Sequence, residues 1–190
     1  MDALELAEKA MKQNIINMAV GFTAMMPLFQ ERSTDLIKRK LTDFFEALDC
    51  ISTDQDFGKR HSDFCQWFVK TIVLADTPEP PSYCQAAEVL DLALKVYVYY
   101  CKMPSLEKAR SLMPMLNGAI DTPILRHLFK RVEGSYGKPY PPHHLWTIKM
   151  VDKEGYDFLQ KVIRQEIRDS FEDDLLPVQY DDVIKLNSDR

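Results

Sequence analysis

The chain has 190 residues, with 24 Lys+Arg against 29 Asp+Glu, a net charge of −5. Its 46% apolar and 28% charged content, with only 6 Gly and 11 Pro, excludes whole-chain disorder and the collagen-like and low-complexity classes. A chain of this length buries enough surface for a substantial core, and the acidic balance weighs against a generally basic nucleic-acid binder.

The N-terminus, Met1 to Lys9, lacks the basic region of a secretory signal and reads as helical, with Asp2 and Glu5 spaced as a capping box. Leu4, Ala7, Met11, Ile15, Met18 and Phe22 then recur at steps of three and four. The apolar run 15–29 is shorter than the roughly 20 residues that a membrane helix needs, and Gly21 and Pro27 interrupt it. It is therefore expected to be a buried helix.

The next helix is expected over about 34–51, with Leu36, Ile37, Leu41, Phe44, Phe45 and Leu48 inward. A third is expected over about 60–74, with Phe64, Trp67, Phe68, Ile72 and Val73 inward. Prolines at 78, 80 and 81 break the pattern. Ser82 and Gln85 form a capping box that restarts a helix over 86–101, the most apolar in the chain. Its polar residues Glu88, Asp91 and Lys95 fall on one narrow stripe. A helix apolar on most sides belongs at the centre of a bundle.

A shorter helix follows over 105–116, interrupted near Pro114. Thr122 is expected to cap another, with Pro123 at its first helical position, to about 131. Residues 132–144 are rich in Gly and Pro and read as a loop. At 145–151, Trp146, Ile148 and Met150 alternate with polar residues, which suits one short strand. A long helix over 153–170 and a last one over 180–186 complete the chain. The expected fold is all-α with at most one short strand: an irregular multi-helix bundle around the central apolar helix at 86–101. One helical domain is expected over 1–190, with the proline break at 77–81 and the loop at 132–144.

Four phrases of the sequence carry a likeness: AAEVLDLALKVYVYY at 86–100, AIDTPILRHL at 119–128, GYDFLQKVIRQEI at 155–167 and LLPVQYDDVI at 175–184. Together they resemble segments of small conserved hypothetical proteins of bacteria and phages. That resemblance implies a cytoplasmic, mostly helical protein and supplies no activity.

Motifs for chemistry are sparse. Gly134 to Lys138 looks like the end of a phosphate loop, but Val132 stands where the first glycine belongs and Pro139 where Ser or Thr belongs. His61 and Cys65 share a helical face at metal-ligand spacing, yet the only further ligands, His127, His143, His144 or another Cys, are distant in sequence. The four cysteines, Cys50, Cys65, Cys84 and Cys101, have neither zinc-site nor redox-motif spacing and read as free thiols. The pair His143 and His144 could supply a general base but has no companion motif, and Cys101 and Ser135 have no partner at a telling spacing. No metal and no cofactor are expected.

Charge is segregated. Residues 102–153 hold nine Lys+Arg against four Asp+Glu, and residues 164–190 hold four against eight. In the basic span, Arg126, Lys130, Arg131 and Lys138 interleave with Tyr140, His143, His144 and Trp146, a composition suited to phosphate contact and base stacking. Two readings follow. The first is a cytoplasmic helical interaction protein that binds another protein without catalysis and without a membrane. The alternative is a nucleic-acid or nucleotide binding protein, with or without catalysis, that uses the span 126–146.

Overall fold

The computed structural model describes residues 3–22, 29–75, 77, 79–132 and 145–188. Eight α-helices appear among them, and the only β pairing is an isolated bridge between Phe29 and Leu74. The architecture is an all-α multi-helix bundle.

Helix α1 (Ala3–Phe22) packs on α2 (Glu31–Glu46) and on the central helix. Among its described side chains Ile15 and Ile16 are buried; Ile15 belongs to the expected stripe, whereas Met11 and Met18 of the same stripe are exposed. Helix α2 buries Ile37, Leu41, Phe44 and Phe45 as its periodicity predicts, but Leu36 of the same expected stripe is exposed, and Leu48 lies buried in the 3-10 turn that follows. Helix α3 (Asp54–Thr71) starts six residues before the expected boundary, because the Thr53 hydroxyl accepts from the Asp56 N–H and caps it there. It ends before Val73, which is exposed in consequence.

Helix α4 (Tyr83–Leu94) is the axis of the bundle. Ser82 and Gln85 form the expected capping box, and every residue of the helix except Leu92 is buried. It runs on into a π-helical turn, Lys95–Tyr100, where the Cys101 N–H reaches back to the Val96 carbonyl. Leu90, Leu94 and Tyr97 are buried, and Tyr97 stacks on Phe45 at 4.1 Å between centroids.

Helix α5 (Leu106–Leu112) is capped by Ser105, and Pro114 sits in a 3-10 turn just after it. Helix α6 (Thr122–Val132) is capped not by Thr122 but by Asp121 one residue earlier, whose carboxylate accepts from the Ile124 N–H, so that Thr122 is the first helical residue. Val132, the first residue of the expected loop 132–144, still belongs to α6, and the rest of that loop lies outside the described residues. The short strand expected at 145–151 is absent: Ile148–Met150 forms a 3-10 turn that buries Trp146 and Ile148 and leaves Met150 exposed. Two bonds tie this segment to the start of α4, from the Ser82 hydroxyl to the Ile148 carbonyl and from the Cys84 N–H to the Val151 carbonyl. Ladder bonds to a sheet therefore have no place here. Helices α7 (Lys153–Phe171) and α8 (Tyr180–Ser188) close the bundle.

Candidate functional site

The polar stripe of α4 points inward. Glu88, Asp91 and Lys95 are all buried, in a helix whose other residues are almost all apolar. A buried charge needs a partner, and each partner comes from a different part of the chain.

Asp91 meets α3 and α7. Its Oδ1 lies 2.9 Å from His61 Nε2, and its Oδ2 accepts from the Tyr156 hydroxyl at 2.6 Å. His61 Nδ1 faces the Cys65 sulfur at 3.7 Å, one helical turn on, and the imidazole stacks on the Tyr156 ring. Burial pulls the His61 pKa down, but the neighbouring Cys65 and Asp91 outweigh it and push it up to about 10. Both ring nitrogens of His61 thus face side chains of the network.

Lys95 reaches Asp181 at 2.8 Å and Asp182 at 2.7 Å, which fastens α8 to the axis. Glu88 has one carboxylate oxygen without a hydrogen-bond partner among the described residues. Burial, reinforced by Asp121, pushes its pKa up to about 8, so it is mainly neutral at pH 7.

Above this network lies a cleft of about 510 Å³. One wall is the face of α7 that carries Lys153, Tyr156, Gln160, Lys161 and Arg164, residues three and four apart. The opposite wall is the first half of α3, with Asp54, Phe57, Gly58 and His61. Tyr83 and Lys153 also border a second cleft of about 410 Å³, lined by Val69, Lys70, Pro81, Lys149 and Met150. The two clefts thus adjoin at Tyr83 and Lys153, which border both, and together they make up the groove. Its cations are Lys70, Lys149, Lys153, Lys161 and Arg164, and its carboxylates are Asp54, Asp152 and Asp157.

No family model, no curated protein and no solved structure matches this chain.

The structure distributes the residues of the basic span differently. Arg126 and Lys130 are exposed on α6. Arg126 donates through Nε to the Trp146 carbonyl at 3.3 Å. Arg131 is bound to Glu166 of α7 at 2.7 Å, and the same carboxylate meets His127 Nε2 and accepts from the Tyr180 hydroxyl. Trp146 is buried with its ring stacked on Phe129 at 4.1 Å, so that face is already used. Lys138, Tyr140, His143 and His144 lie outside the described residues. The acidic C-terminal span does reach this region, through Glu166.

His61 and Cys65 do come together as their spacing suggests, but among the described residues no group of three or more His, Cys, Asp or Glu could hold a metal ion. All four cysteines are free, Cys65 and Cys84 buried and Cys50 and Cys101 exposed. Among the described residues, no helix is long and apolar enough to cross a membrane.

The His61–Asp91–Tyr156 network and the groove beside it are absent from any sequence motif. One signal for the network was present: three ionisable residues on a helix too apolar to lie at the surface.

Proposed function

We propose that the protein is a helical interaction protein that binds an acidic, extended segment of another protein along the groove between α3, the start of α4 and α7. The observation that carries this reading is that the two clefts adjoin at Tyr83 and Lys153 and that their linings hold five cations against three carboxylates, beside the apolar or aromatic Phe57, Tyr83, Val69 and Met150. Cations at intervals along an apolar groove suit a chain that alternates carboxylates with apolar side chains. That both ring nitrogens of His61 face side chains of the network favours binding over acid–base catalysis. The cytoplasmic location and the bacterial or phage origin implied by the resemblance belong to the same proposal.

The test is fluorescence anisotropy with short peptides that alternate Glu with Leu or Phe, beside matched Lys-containing peptides and a single-stranded polynucleotide. The acidic peptides should bind saturably, more weakly as salt rises, and lose affinity with Lys149→Glu. Binding of the polynucleotide alone, abolished by charge reversal at Arg126 and Lys130, would replace this reading with the nucleic-acid one.

A further inference from the structure

Arg164 is a guanidinium without a counter-ion. It is half-buried in the wall of the larger cleft, and its bonds go to neutral acceptors, the Leu116 carbonyl at 3.4 Å and Asn117 Oδ1 at 3.3 Å. No carboxylate among the described residues lies within ion-pair distance of it. Asp54 across the cleft is the first of the groups that favour its charge, and burial still holds its pKa below the ordinary value. Lys161, three residues earlier on α7, also lines the cleft, is exposed and makes no ion pair among the described residues. The other cation on this wall, Lys153, is already paired with Asp157 at 2.6 Å. Both free cations thus stand on the same helix face, at the end of the groove away from the second cleft. A guanidinium fork with donors to spare beside an ammonium is the arrangement that suits an oxyanion.

We infer that Arg164 and Lys161 form a subsite for one oxyanion, a carboxylate or a phosphoryl group, at the α3-facing end of the groove. The inference rests on the groove being the binding site, and it assigns that end of the ligand its charge. Gly58 of α3 also lines this cleft, and a Cβ built there meets nothing within 4 Å. The bound oxyanion supplies the counter-charge that Arg164 lacks.

The experiment is a titration of the full chain with inorganic phosphate and, separately, with acetate, at constant ionic strength, followed by the side-chain NMR signals of arginine and lysine. At least one of the two anions should shift the Arg164 Nε–H and the Lys161 signals saturably. Lys161→Met, at an exposed position with no partner to lose, should weaken that binding about tenfold or more, as expected for a charged hydrogen bond. Arg164→Lys, which keeps the charge and removes the fork, should weaken it as well, whereas Lys9→Ala, at an exposed position of α1 that lines neither cleft, should leave it unchanged. Tighter binding of phosphate assigns a phosphoryl group, and equal or tighter binding of acetate assigns a carboxylate. Shifts that never saturate, or saturable binding that is indifferent to both Lys161→Met and Arg164→Lys, would overturn the subsite. The groove reading fails separately: if phosphate binds here but no acidic peptide binds, the subsite stands without the groove. If acidic peptides bind and both variants bind them equally well, the groove stands without the subsite.

Discussion

Tyr156 of α7 donates its hydroxyl to Asp91 Oδ2 of α4 across 2.6 Å, and the bond joins two helices through the interior, 65 residues apart in the chain. The other oxygen of the same carboxylate holds His61 of α3. Three helices therefore meet at one buried charge. Removing that carboxylate leaves the His61 imidazolium without its counter-ion, so Asp91→Ala should cost about 3–5 kcal/mol. Tyr156→Phe deletes one bond to a charged acceptor and should cost about 1.5–3 kcal/mol. Urea denaturation of the two single variants and the double variant checks both, and the double variant should cost less than the sum because the partners are shared.

The buried titrating groups also set the pH dependence. His61 is raised to about 10, Glu88 is raised to about 8, and Asp181 is raised, chiefly by burial. Each binds its proton more tightly in the folded chain than in the unfolded one. Its contribution is therefore complete below the unfolded pKa and is lost as pH rises through the folded one. Between pH 4.5 and about 8 the Glu88 part should fade, and between pH 6.5 and about 10 the His61 part. Melting temperature measured across that range should fall on the alkaline side. Glu88→Gln should flatten the Glu88 part of the fall, and a melting temperature that climbs steadily toward alkaline pH would contradict the assignment.

Two glycines should respond in opposite directions to the same change. Gly58 lies within α3 with open space where a Cβ would go, so Gly58→Ala should stabilise by about 0.5–1 kcal/mol. At Gly118 a Cβ would lie 3.0 Å from Ile163 Cδ1 and 3.0 Å from the Pro177 carbonyl oxygen, and both backbone groups of this glycine are clamped by Gln160. Gly118→Ala should destabilise by about 1–3 kcal/mol. Paired thermal melts decide the signs.

The expected axis of the bundle has its own test. Leu94 is buried within α4, and Leu94→Ala should cost about 2–5 kcal/mol by denaturant titration. A loss below about half a kcal/mol would be the behaviour of a surface position.

Cysteine accessibility follows from burial. In the native protein a maleimide should label Cys50 and Cys101 rapidly and leave Cys65 and Cys84 unreacted, with all four labelled after denaturation. Mass spectrometry of the labelled chain reads this directly.

The fold was legible where periodicity and capping agree. The Ser82–Gln85 box and the apolar circumference of 86–101 place the central helix, and burial at Leu90, Leu94 and Tyr97 follows from them. Legibility ended where tertiary contacts decide. The alternation around Trp146 and Ile148 mimics a strand, but hydrogen bonds from Ser82 and Cys84 hold that segment as a turn. In α1 the stepwise pattern ran through Met11, Ile15 and Met18, of which Ile15 is buried while Met11 and Met18 are exposed, and Ile16, outside the pattern, is buried too. The network was half legible: Glu88, Asp91 and Lys95 announce buried charge, but His61 and Tyr156 become partners of Asp91 only once α3 and α7 pack against α4. Arg126, Lys130 and Arg131 stood out by local charge, and no local signal records that Glu166 already occupies Arg131.

The most direct test of the groove is backbone amide NMR of the labelled full chain titrated with an acidic, apolar-alternating peptide. Saturable shifts should cluster at Lys70, Tyr83, Lys149, Lys153 and Lys161, and Gly58→Trp, which fills the larger cleft, should abolish those around α7. Shifts confined to α6 around Arg126 and Lys130, or none at any peptide concentration, would contradict the account.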